Sequence, residues 1–248
     1  ASLAATAEDK GDHFLINGTK TFVTNAMYAG LFVVFAKTDP SAGYKGVSCF
    51  IVDADSEGIT LGAPEKKMGI KASDTREISF ADVKVPKENL CGEIGNGFRQ
   101  AVTILNSGRI GVSFQAIGIA QAAFEAAVKY SKERQQFKKP IASFQTIQNY
   151  LADMATEIDA ARLLLYRACA FKDAGQPFGA EAAMAKLHCS TTATHVTNLA
   201  LQIHGGYGYS KEYDVERYFR DAKVTEIYEG TSEVQRMVIA RSVLSKLT

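Results

Sequence analysis

A carboxylate followed at once by a glycine, Glu229-Gly230, lies near the end of the chain within the run Glu226-Ile227-Tyr228-Glu229-Gly230-Thr231-Ser232-Glu233. Ser232 and Gln235 have the spacing of a capping box, which predicts a last helix beginning near Glu233 and continuing through Val234, Met237, Val238 and Val243. Glu229 is therefore expected in the turn and not on the helix. From a turn a carboxylate can point into a cleft, where apolar walls would raise its pKa toward neutrality and suit it to removing a proton. Taken alone, the octet reads more readily as an ordinary surface turn, so its meaning depends on the rest of the chain.

Five further motifs stand in order along the sequence: Thr19 to Asn25, Gly108-Arg109-Ile110-Gly111, Glu133-Arg134-Gln135-Gln136-Phe137, Gln202 to Tyr209, and Tyr218 to Ala222. With the octet, they resemble the acyl-CoA dehydrogenases, flavoenzymes that oxidise a fatty acyl-CoA to its 2-enoyl-CoA. The resemblance covers the whole chain, and separated motifs in the right order are far more specific than any one. Gly118-Ile119-Ala120-Gln121, Ala160 to Leu164 and Glu181 to Leu187 look closest to the short-chain, or butyryl-CoA, members.

That chemistry removes a very weakly acidic proton from one carbon and a hydride from the next, so it needs both a base and an electron sink. The resemblance implies that Glu229 is the base and that FAD accepts the hydride at its N5 atom. It also implies that the backbone N–H of Glu229 and a flavin ribityl hydroxyl hold the thioester carbonyl. Some relatives carry their base one position before the arginine of the second motif; here that position is Gly108, which leaves Glu229 without a rival.

For the acyl-CoA, the resemblance points to Asn106, Ser107, Gly108, Arg109, Gly230 and Arg241. Arg109 also reads as an ordinary ion-pairing arginine, and Arg241 as a solvated one on the last helix. For the flavin, it points to Phe22, Val23 and Thr24 near the isoalloxazine, with Phe22 and Thr24 sharing one face of an alternating strand. A core phenylalanine would explain Phe22 as well. Arg134, Phe137, Gln145, Gln202, Gly205 and Gly206 match family positions around the adenosine and pyrophosphate of a FAD bound mainly to a neighbouring subunit. The glycine pair also suits a helix C-cap. Thr231, Ser232 and Glu233 would meet polar flavin atoms at the start of the last helix. His204 reads as a helix-end residue, since no second ligand lies at metal spacing, and no metal is expected.

The elements that must position these residues fall in two regions. From Asp12 to Pro86 the pattern is that of strands: Phe14 to Ile16, Thr21 to Thr24, Leu31 to Ala36, Val47 to Val52 and Glu77 to Phe80. Asn17-Gly18 is a two-residue hairpin signal. After Gly95-Asn96-Gly97 the period becomes helical, with breaks at Lys138-Lys139-Pro140 and Gly175-Gln176-Pro177. Ile147, Leu151, Met154, Ile158, Ala161, Leu165 and Ala168 make one apolar stripe. The expected class is α+β: an antiparallel, barrel-like β-domain over residues 1–92, then an antiparallel four-helix bundle over residues 93–248.

A formal charge of +1 gives no field to attract nucleic acid or an anionic membrane, and neither partner is expected. No run of about 18 apolar residues long enough to cross a bilayer is read from the sequence. Cys49, Cys91, Cys169 and Cys189 are widely spaced, which suits reduced thiols. The resemblance implies a homotetramer that passes electrons to an electron-transfer flavoprotein, in the bacterial cytoplasm or the mitochondrial matrix. It also implies an N-terminal helical domain preceding the residues seen here. Two rivals share the residues: a related flavin oxidase that uses oxygen, and a non-catalytic assembly module.

Overall fold

The computed structural model describes residues 3–246, and the chain divides into two units, Ala1–Ile104 and Leu105–Thr248. In the first, β1 (Thr6–Asp9), β2 (His13–Thr24), β3 (Leu31–Lys37), β4 (Val47–Asp53), β5 (Ile59–Leu61) and β6 (Thr75–Pro86) form one sheet in the order β4-β3-β1-β2-β6-β5. Alternate residues of the long strands face inward, so Phe14, Ile16, Phe32, Val34, Phe50, Val52, Ile78, Phe80, Val83 and Val85 build the core. Phe14 and Phe50 meet edge to face with ring centres 4.9 Å apart.

Three expectations are corrected here. The pairing is antiparallel except at β1 and β3, which run parallel where Thr6 meets Lys37. β1 and β5, of four and three residues, are too short for an alternating pattern to stand out in the sequence. Asn17-Gly18 is not a hairpin, because β2 runs straight through it. Asn17 instead receives the Asp82 N–H at 2.8 Å and donates to the Asp82 carboxylate at 2.9 Å, closing a bulge where Asp82 has φ 52°. Gly18 is required by a close approach, since a Cβ there would lie 2.8 Å from Ala5 Cα.

In the second unit the helical period produces helices. α1 (Gly97–Glu133) begins in the first unit, where a Cβ on Gly97 would lie 2.6 Å from the Ser48 carbonyl carbon. A small hairpin, β7 (Gln135–Gln136) with β8 (Lys139–Pro140), separates α1 from α2 (Gln145–Asp173). Its turn residues Phe137 and Lys138 have φ 52° and 68°, the two left-handed positions of a tight hairpin turn. α3 (Gly179–His204), α4 (Val215–Ala222) and α5 (Ser232–Lys246) follow. Ala116, Ala120, Ala123 and Ala127 of α1, the Met154 to Ala168 stripe of α2, and Ala182, Ala185, Cys189, Ala193 and Val196 of α3 make the core. So many alanines let the helix axes approach closely.

α1 also corrects the membrane reading, because it contains an 18-residue window long and apolar enough to cross a bilayer by length and composition. Its small apolar residues are those that bury against α2 and α3, which is the pattern of a core helix. All four cysteines are free.

Candidate active site

Glu229 lies in the bend before α5, half-buried and in the left-handed region with φ 54°, and Gly230 follows with φ 94°. Few residues other than glycine hold that conformation without a fixed surround. Here the surround is visible. Gln235, wholly buried on α5, donates its amide to the carbonyls of Gly230 at 2.8 Å and Glu229 at 3.3 Å. Lys186, wholly buried on α3, donates its Nζ to the same Gly230 carbonyl at 2.8 Å. The result is a carboxylate resting on α1: a Cβ placed on Gly108 would lie 2.6 Å from Glu229 Oε2.

The cap of α5 differs from the expected capping box. Thr231 supplies it, accepting the Val234 N–H at its Oγ1 at 3.5 Å and the Gln235 N–H at its carbonyl at 3.0 Å. Gln235 is thereby one position too far along to reach back to the cap, and its amide turns to Gly230 instead. Ser232 is buried in the first turn, its Oγ without a partner among the described residues.

Arg109 is buried one residue after Gly108, with its Nη1 donating to Asn106 Oδ1 at 2.7 Å and its Nε without a partner among the described residues. Burial lowers its pKa, and the nearby Glu229 charge opposes that fall. Burial pushes Lys186 further, to about 8, against the pull of the Glu226, Glu229 and Glu233 carboxylates and with the repulsion of Arg109. Tyr228 donates its hydroxyl to Gln115 on α1, and burial raises its pKa. Asn106, Gly108, Arg109, Glu229 and Gly230 are thus brought together at one place. Ser107 is half-buried beside them on α1, and Arg241 is exposed far along α5.

Neither Lys186 nor Gln235 was singled out for this site from the sequence. The available signal was positional: Lys186 falls on the buried stripe of α3 with Ala182, Cys189 and Ala193, where a charge has no place unless something holds it.

A second grouping lies at the ends of α1 and α3. Arg134, Gly205 and Gly206 line a cavity of about 670 Å³ with Tyr130, His204 and Tyr207. Gly205 caps α3 by donating to Gln202, and a Cβ on either glycine would meet nothing within 4 Å. His204 ends the helix as expected, stacked on Tyr130 at 4.2 Å and bonded to the Ala200 carbonyl at 2.7 Å. Gln202 is exposed. Phe137, 86% exposed, leans edge-on to Phe144, the residue before the exposed Gln145. No group of metal-binding side chains occurs among the described residues.

In the first unit, Phe22 is 71% exposed and Thr24 is exposed, while Val23 packs on the core. Simple alternation fails at Phe22, however. It has φ 54° and sits in a bulge between the Lys20 and Val23 pairings with β6.

A sheet unit followed by an alanine-rich helical unit, which holds a carboxylate in a left-handed bend beside a buried arginine, is a combination more specific than either half. Residues 1–83 match the acyl-CoA dehydrogenase middle domain and residues 95–244 the acyl-CoA dehydrogenase C-terminal domain. The chain belongs to the acyl-CoA dehydrogenase family. It is 51% identical to the mitochondrial short-chain specific acyl-CoA dehydrogenase of Rattus norvegicus, over 97% of this chain and 58% of that protein. It is 50% identical to a subunit of the caffeyl-CoA reductase-Etf complex of Acetobacterium woodii, over 98% of this chain and 64% of that one. The structure of butyryl-CoA dehydrogenase from Megasphaera elsdenii superposes with a TM-score of 0.96 at 50% identity, covering 98% of this chain and 63% of that one. The chain therefore spans about 60% of the length of these relatives.

Proposed function

We propose that this chain carries the catalytic base and much of the cofactor and substrate site of a FAD-dependent dehydrogenase that converts short-chain acyl-CoA to trans-2-enoyl-CoA. The observation that carries the reading is the Glu229 carboxylate, held against Gly108 beside buried Arg109. Glu229 takes the C2 proton, and its backbone N–H, which meets no acceptor among the described residues, is free to bind the thioester carbonyl. Arg109 keeps a positive charge beside the carboxylate, and Asn106 fixes its guanidinium. Asn106, Ser107, Gly108 and Gly230 are proposed to contact the acyl-CoA, with Arg241 toward the CoA end.

FAD, when bound, supplies the acceptor for the C3 hydride that no side chain can take. The residues present fit it. Ser232 offers a buried hydroxyl without a partner in the first turn of α5, Thr231 and Glu233 flank it, and Phe22 and Thr24 present an exposed ring and hydroxyl. Arg134, Gly205 and Gly206 line an open cavity with a cation, suited to a pyrophosphate; Phe137, Gln145 and Gln202 are proposed cofactor contacts on the resemblance alone. An electron-transfer flavoprotein as acceptor is supported by the Etf complex to which the Acetobacterium relative belongs. The homotetramer rests on the family resemblance alone.

Glu229→Gln in the full protein tests the reading: flavin and butyryl-CoA binding persist, while anaerobic bleaching of the flavin by substrate slows by about 100- to 10,000-fold. Full activity would reject it. The reductase relative favours one further possibility, the same site run backward with Glu229 returning the proton. Net reduction of enoyl-CoA under a supplied reductant, faster than oxidation of the saturated thioester, would identify that direction.

A further inference from the structure

Two donors from different helices converge on one carbonyl next to the base. Lys186 Nζ on α3 and Gln235 Nε2 on α5 each lie 2.8 Å from Gly230 O, so both lone pairs of that oxygen are engaged. Both side chains are fully buried. A lysine is a costly residue to bury, and an aliphatic side chain of similar length would fill the space without that cost. Glu229 and Gly230 meanwhile occupy left-handed backbone, which for glutamate persists only when its surroundings determine it.

We propose that Lys186 and Gln235 form a two-donor clamp on the Gly230 carbonyl that fixes the Glu229–Gly230 hinge and so sets where the carboxylate lies against Gly108. Both are positioning residues, and the role rests on Glu229 being the base. The competing explanation, that Lys186 only balances the charges around it, involves Glu226 of the turn before the hinge, Glu229 itself, Glu233 of α5 and Arg109 of α1. It gives Gln235 no part, because an amide carries no charge. The clamp gives both residues the same part.

The test uses Lys186→Met, Gln235→Leu and the double variant in the full protein carrying FAD. Each single change is expected to lower kcat for butyryl-CoA about tenfold or more while KM moves less than about threefold, because the thioester still binds but the base is displaced. Exchange of the C2 proton of a bound, non-oxidisable acyl-CoA analogue for deuterium falls by the same factor, with flavin content unchanged. The double variant loses little more than the worse single one, since both act through one carbonyl. Unchanged kcat and exchange in Gln235→Leu, or fully additive losses, would overturn the clamp. A lowered melting temperature with kcat intact would do the same. If Lys186→Met fails to fold, Gln235→Leu decides alone. Glu229→Gln is measured alongside: full activity there defeats the base assignment, whereas an inactive Glu229→Gln beside fully active clamp variants defeats only the clamp.

Discussion

Gly108 is kept free of a side chain by the Glu229 carboxylate, whose Oε2 lies 2.6 Å from where a Cβ would stand. The clash is with the end of a flexible side chain, so Gly108→Ala is expected to fold, and removing a glycine from a helix gains about 0.5–1 kcal/mol. The carboxylate must swing aside, and a displacement of about 1 Å from productive geometry can cost roughly 100-fold in rate. The expected outcome is an unchanged or slightly raised melting temperature with a kcat lowered by about two orders of magnitude; equal kcat would show that Glu229 works from another position. At this scale the sequence showed which residues could carry chemistry and that Glu229 sits in a turn. It did not show what holds them, because the Lys186–Gly230 contact joins positions 44 apart and local spacing is silent about it.

Local periodicity decided how much of each element was legible. The stripe from Met154 to Ala168 is buried on α2 as expected, and the breaks before α2 and α3 fall at the prolines and glycines that mark them. Strands were harder. Asn17-Gly18 has the composition of a hairpin turn, yet it serves a bulge and a close approach, a distinction that depends on Ala5 and Asp82, remote from it in sequence. The irregularity at Phe22 likewise came from the register with β6. Gly18→Ala should therefore destabilise the sheet unit by about 1–3 kcal/mol, since it combines φ 130° with a Cβ 2.8 Å from Ala5 Cα. Denaturant unfolding followed by β-sheet circular dichroism measures it; an unchanged midpoint would show that the contact with Ala5 relaxes freely.

For the molecule as a whole, buried Lys186 gives stability a pH dependence of definite sign. Below about 8 both folded and unfolded chains carry the ammonium, so the full cost of burying it is present. Between about 8 and its ordinary 10.5 the folded lysine has lost its proton while the unfolded one keeps it, and stability rises with pH. The rise is at most about 1.4 kcal/mol per pH unit. Cys189, pushed up to about 12 by burial, acts in the opposite direction at high pH, so the informative quantity is wild type minus Lys186→Met. That difference should climb through this window; a flat one would show that Lys186 titrates normally. Glu229 has a different consequence at the same scale. Its backbone sits where glycine is most at ease, so the fold would tolerate, even welcome, loss of the very group on which the proposed turnover rests. Under the proposed role, purifying selection at this codon would act through metabolic output, because misfolding would not weed out the variant allele.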